Sequence, residues 1–134
     1  MRALLAQRVA PNADAAQIAE AMVAIWQDID VALRPILGQQ GIVALYKRSM
    51  YLTGKSHPWL TELHDRAAAA MNLDELREAV AHKDNAVALE GSDAMLQTFH
   101  ELLASLVGSS LTERLLRPVV QNTLSGPSAQ EISV

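Results

Sequence analysis

The chain contains no cysteine. That removes a disulfide framework, a thiolate metal site and a cysteine nucleophile, and it fits a reducing compartment, so a cytoplasmic location is expected. Aromatic residues are few, 4% of the 134 residues, and no histidine sits in the aromatic-rich surroundings a haem pocket needs. No apolar run approaches the roughly 18 residues of a membrane span, and the run Ala3 to Ala6 between Arg2 and Arg8 is too short for a signal-peptide apolar region. Positive charge is also scarce. Eleven Lys and Arg against fifteen Asp and Glu give a formal charge of −4, which argues against nucleic acid as the main partner because phosphate neutralisation needs a basic surface. The phosphate-binding loop, the dinucleotide fingerprint and the nucleophile elbow are missing too.

What the chain does have is helical periodicity. Ala15, Ile18, Met22, Ile25, Ile29, Leu33 and Ile36 follow one another at steps of three and four, placing them on one face of a helix. Asp14 with Gln17 forms a capping box for its start, and Pro35 and Gly38 mark a kink and a stop near Leu37. A second helix is expected over 39–53, apolar over nearly half its circumference and ended by Gly54. A third starts at Pro58 and carries Trp59, Leu60, Leu63, Ala67, Ala70 and Met71. Asn72 with Glu75 caps a short helix from Leu73 to about Lys83, either separate from the third or its continuation after a kink. The stretch Asp84 to Asp93, with Gly91 and Ser92, reads as a connection in which Asn85 to Glu90 can add one helical turn. Met95, Phe99, Leu102 and Leu106 give the next clear stripe, ended by Gly108, and Ser110 with Glu113 opens a last helix that Pro118 stops. The expected architecture is an all-α, up-and-down bundle of four to five helices in one domain, 1–120, with a disordered tail over 121–134. The expected core contains Met22, Ile25, Trp26, Ile29, Tyr46, Leu63, Phe99, Leu102 and Leu106.

The charges are segregated. Between Val31 and Thr61 stand Arg34, Lys47, Arg48 and Lys55 with no acid, whereas Glu62 to Glu101 holds nine acids against Arg66, Arg77 and Lys83. The favoured reading is that the two stretches lie side by side and pair within the bundle, at no more than about 1 kcal/mol per pair. The other is that Arg34, Lys47 and Arg48 form a docking face for an acidic partner or a phosphorylated ligand.

Four histidines invite closer inspection. Glu75, Glu78 and His82 share one helical face at metal-ligand spacing, but a bundle metal site needs matching ligands on facing helices, and the first helix offers none within its stripe. A solvated charged face is the expected reading, with neither metal nor cofactor. His57 belongs to a helix start, and His64 has Asp65 beside it in sequence but not on its face, so no catalytic dyad is implied. His100 borders the apolar face around Phe99. The run His100, Glu101, Leu102, Leu103, Ala104, Ser105 resembles the helix pattern of histidine phosphotransfer (HPt) domains. Over this one helix the resemblance implies a phospho-acceptor at His100 and a receiver domain as partner. That family usually places a basic residue three positions after the histidine and a glycine next; here Leu103 and Ala104 stand there. A cation brought near His100 by folding, from Lys47, Arg48 or Lys83, is the feature that would favour phosphotransfer.

Without a catalytic set, the expected function is protein–protein interaction in a regulatory or adaptor role. A homodimer is expected because the second helix and the cluster Leu111, Leu115, Leu116, Val119 and Val120 offer more apolar surface than a small bundle hides. The alternative cover for that surplus is the segment Met1 to Ala10, with Leu4, Leu5 and Val9, folded back over it.

Overall fold

The computed structural model describes residues 5, 9, 13–66 and 72–124. Five helices account for almost all of them, with no strand among the described residues: α1 (Ala15–Gly54), α2 (Pro58–Arg66), α3 (Leu73–Ala81), α4 (Asn85–Val107) and α5 (Ser109–Leu124). The fold is an all-α helical bundle.

Helix α1 opens on the expected capping box: the Asp14 side chain accepts from the Gln17 N–H at 2.9 Å and the Gln17 side chain accepts from the Asp14 N–H at 3.0 Å. The helix is two limbs, 15–37 and 39–54, joined at Gly38, whose φ of 74° and ψ of 166° are non-helical. A side chain at positive φ is strained, and Pro35 already removes a hydrogen bond from the preceding turn, so the break falls where the two residues together make it cheapest. Trp26 of the first limb and Tyr46 of the second meet edge to face at 4.9 Å, so the limbs fold back on each other as an antiparallel hairpin. Every other helix packs on this hairpin.

Two contacts fix the direction of α4. The Ala15 N–H donates to Asn85 Oδ1 at 2.8 Å, and Trp26 meets Phe99 at 5.0 Å. Helix α4 therefore runs parallel to the first limb, and the Gly38 and Gly108 breaks lie at the same end of the bundle. The core runs between them through Met22, Ile25, Ile29, Leu33, Ile42, Met50, Leu60, Leu63, Leu76, Met95, Leu96 and Leu103. Leu5 is fully buried in it and Val9 packs against it; Leu4 lies outside the described residues.

Several expectations are corrected. The connection foreseen over 84–93 is helix from Asn85 onward, and Gly91 and Ser92 are buried inside it. The reason is packing: a Cβ on Gly91 would lie 2.5 Å from Trp59 Cζ2, so the missing side chain makes room for an indole rather than for a turn. The last helix begins at Ser109, not after a Ser110 cap, and Thr112 is buried with its hydroxyl donating to the Gly108 carbonyl at 2.8 Å. It passes Pro118 and runs to Leu124, because Leu116 and Val119 are anchored in the core and outweigh one forfeited hydrogen bond. The tail expected from 121 is thus helical to Leu124, and the rest of it lies outside the described residues, as do Ala67, Ala70 and Met71. Leu73–Ala81 is a helix of its own, with Asn72 Oδ1 accepting from the Glu75 N–H at 3.1 Å. The second limb buries Ile42, Leu45, Tyr46, Ser49 and Met50 within the bundle, so its wide apolar face is consumed internally.

Two expected core positions are also displaced. Leu102 is only partly buried and Leu106 is exposed, while Leu103 is fully buried. Ile36, last in the opening stripe, is exposed as well.

Candidate functional site

Ile36 and Leu106 share a geometry. Each stands seven residues, two helical turns, beyond a fully buried partner in the same stripe, Ile29 for Ile36 and Phe99 for Leu106. The residues that follow them, Leu37 and Val107, are the ones packed against the core, so Ile36 and Leu106 stand at the edge of the core-facing side. Each lies two residues before a glycine break, α1 breaking at Gly38 and the chain turning at Gly108 (φ 88°) to begin α5. From the Trp26–Phe99 level, ten residues of the first limb and seven of α4 rise about 15 Å and about 10 Å respectively, so the two side chains emerge close to one height. Ile36 is 57% exposed, Leu106 66%, and Leu111, in the first turn of α5, 37%. Apolar side chains are thus exposed at this end of the bundle. Of the residues expected to contact a partner, Leu111 belongs here, Leu115 is half-buried against the core, and Leu116 is buried and out of reach of any partner.

Three of the basic residues are engaged on or beside their own limb. Arg34 is bound to Asp30 one turn back on its own limb. Arg48 and Lys55, three residues before and four after Tyr51, both turn to its ring, the Arg48 guanidinium carbon at 5.7 Å from the centroid and Lys55 Nζ at 5.6 Å. His64 of α2 stacks at a tilt on the same ring, with centroids 5.5 Å apart. In the acidic stretch, Arg77 bridges Glu20 of α1 at 2.8 Å and Asp74 at 3.1 Å. Sequence reasoning missed Tyr51, Lys55 and His64 as one cluster; the recurrence of 48, 51 and 55 on one helical face was the available signal.

Glu75, Glu78 and His82 line one cleft of about 350 Å³ together with Trp59, Glu62, Ala79 and Lys83. Among the described residues no group of three or more His, Asp and Glu side chains is placed to hold a metal ion. His82 Nδ1 lies 2.7 Å from the Glu78 carbonyl of its own helix, and the Lys83 ammonium lies 5.8 Å from the Trp59 ring centroid.

His100 is half-buried, and burial lowers its pKa, with the carboxylates of Glu101 and Glu113 opposing the shift. After burial, the positive charge of the N-terminal amino group is the next cause of the lowering and the two acids oppose it, while Arg48 is engaged at Tyr51 and Lys83 at Trp59. The lowered pKa has a consequence for stability. Below the ordinary histidine value of about 6.5 the unfolded chain binds a proton that the folded chain resists, so stability is full above that pH and declines as pH falls through the lowered folded value. Urea melts from pH 7.5 to 5 are expected to show this decline, and His100→Gln to make it shallower; an unchanged slope in the variant assigns the acid sensitivity to other groups.

Comparison of the chain with protein-family models, with curated proteins and with solved structures finds no match. No helix among the described residues is long and apolar enough to cross a membrane.

Proposed function

We propose that the chain acts by protein–protein interaction, in a regulatory or adaptor role, and that it pairs with a second copy of itself through the exposed apolar side chains at the Gly38–Gly108 end of the bundle. The observation that supports this reading is the exposure of Ile36 and Leu106, two apolar stripe positions each two residues before a glycine break, and of Leu111 in the first turn of α5. Exposed apolar side chains scattered singly are ordinary, but stripe positions left uncovered together mark a contact surface. A twofold axis through this end sets each apolar group against its own copy, the commonest closed assembly.

The magnitudes decide how tight such a dimer is. Fully burying an Ile or Leu side chain contributes about 1.5–3 kcal/mol; with Ile36 57% and Leu106 66% exposed, the two from both copies contribute about 4–7 kcal/mol before Leu111 is added. Association costs of about 4–15 kcal/mol stand against this. The dimer is therefore weak and concentration-dependent. Light scattering over a dilution series is expected to show the mass rising from 14.5 kDa towards twice that value between micromolar and several hundred micromolar protein. Ile36→Glu and Leu106→Glu each hold the mass at the monomer value with helix content unchanged, because both positions are solvent-exposed in the single chain. A wild-type mass that stays monomeric throughout that range sinks the dimer.

A further inference from the structure

A second surface is defined by charge. Arg48, Tyr51 and Lys55 form one row along the second limb of α1, and the two cations flank an aromatic ring that is itself 43% exposed. Among the described residues neither Arg48 nor Lys55 is in an ion pair, and both are exposed. Lys47 precedes them on the same limb, and no acid occurs between Val31 and Thr61, so the element carries no carboxylate along the row. His64 of α2 backs the Tyr51 ring and limits its movement. A tyrosine held between an arginine and a lysine has the composition that concentrates binding energy in protein interfaces: an amphipathic aromatic body for burial and a planar guanidinium for bidentate carboxylate contacts.

We infer that this row is a docking surface for an acidic segment of a partner protein, with Arg48 and Lys55 taking carboxylates and Tyr51 packing against the chain between them. The spacing specifies more than a point anion. Seven residues of helix separate Arg48 from Lys55 by about 10 Å, the distance covered by about three residues of an extended chain, and because successive side chains of such a chain face opposite ways, two acids two or four apart share the face that meets both cations. A single phosphate or carboxylate spans one of them at a time. The cation–π contacts with Tyr51 hold the two long side chains near their binding positions while the partner is absent and reduce the entropy lost on docking. The row lies at the far end of the second limb from Gly38, and the inference does not depend on the dimer.

The test is a titration of the isotopically labelled full chain with poly-L-glutamate at low and high salt, followed by amide chemical shifts, with inorganic phosphate as a parallel arm. Binding is expected to move resonances of residues 47–55 and 64, to weaken steeply as salt rises, and to be at least tenfold weaker in Arg48→Glu/Lys55→Glu. Tyr51→Ala weakens it several-fold with both charges intact, which separates the aromatic contribution from bulk electrostatics. Sedimentation at low salt reports whether the acidic stretch of a second copy competes for the row. Shifts that map elsewhere, a charge-reversed variant that binds as the parent does, or inorganic phosphate saturating the row as tightly as poly-L-glutamate overturns the inference; the last outcome reduces the row to a simple anion site. Self-association through the row that excludes poly-L-glutamate overturns it as well.

Discussion

Trp26→Ala is expected to destabilise the fold by about 3–5 kcal/mol, the range for emptying a large aromatic site in a packed core. Trp26 is fully buried and meets Tyr46 at 4.9 Å and Phe99 at 5.0 Å, both edge to face. One side chain therefore joins both limbs of α1 to α4. Edge-to-face pairs contribute about 0.5–1.5 kcal/mol beyond their buried area, and two are lost together. Domains of this size are stable by about 5–15 kcal/mol in total, so the variant sits close to unfolding, and chemical denaturation of both proteins measures the difference. Trp26→Phe is expected to cost less than half as much. The indole Nε1 is buried with no hydrogen-bond partner among the described residues, and phenylalanine keeps most of the ring contacts while removing that unpaired donor. If Trp26→Ala costs under about 1 kcal/mol, a surface-like value, the hairpin is not joined to α4 through this ring.

The same experiment on α4 separates adjacent leucines. Leu103→Ala is expected to cost about 2–5 kcal/mol as a buried site, Leu102→Ala less, and Leu106→Ala within about 0.5 kcal/mol in the monomer. The periodicity around Phe99 favours Leu102 and Leu106, and the structure buries Leu103 instead. The difference is about 100° of rotation, and a single helix does not carry that information. Which leucine turns inward depends on where α5 crosses, and that follows from the turn at Gly108.

Local chemistry made other elements legible. Asp14 with Gln17, Asn72 with Glu75, Pro35 with Gly38, and Gly54 mark starts and stops within a few residues of one another, so capping and backbone preference decide them without the rest of the chain. Gly91 and Ser92 have turn-forming character, and the reading of 84–93 as a connection followed from it. Gly91 lies in a helix because Trp59, 32 positions earlier in the numbering, packs on it, and only the tertiary structure brings that indole there. Pro118 is the same kind of case, a local stop signal overridden by Leu116 and Val119 in the core.

The candidate surfaces divide along the same line. The basic residues were visible as composition, and Arg48 was visible as an exposed cation. Its engagement with Tyr51 was within reach of helical spacing, but the stacking of His64 joins α2 to α1 and depends on how the loop after Gly54 turns. The exposed apolar end was hidden for a related reason: Ile36 and Leu106 have the pattern of core residues, but Leu37, Leu103 and Val107 are the ones turned to the core there.

Gly54→Ala is the second large effect expected, and its sign runs against helix propensity. At the end of a helix an alanine in place of glycine ordinarily stabilises by up to about 1 kcal/mol. Here a Cβ would collide with Thr61 Oγ1 and lie 2.9 Å from the Thr61 backbone nitrogen. Rotating the threonine side chain clears the first contact but not the second, so α2 as a whole must move away from the second limb. Leu60 and Leu63 on that helix are buried in the core, and moving them forfeits packing; overpacking of this kind costs about 1–3 kcal/mol. The expected net result is a destabilisation of about 1–2 kcal/mol in denaturant melts, the overpacking cost less the propensity gain. Adding Thr61→Ala should recover only part of it, because the backbone nitrogen remains in place. Full recovery in the double variant would mean that the hydroxyl alone sets the spacing between the helices, and a stabilised single variant would mean that α2 is free to shift. A shift would also separate Tyr51 from His64, so the tyrosine ring resonances of Gly54→Ala give a second measure of the same movement.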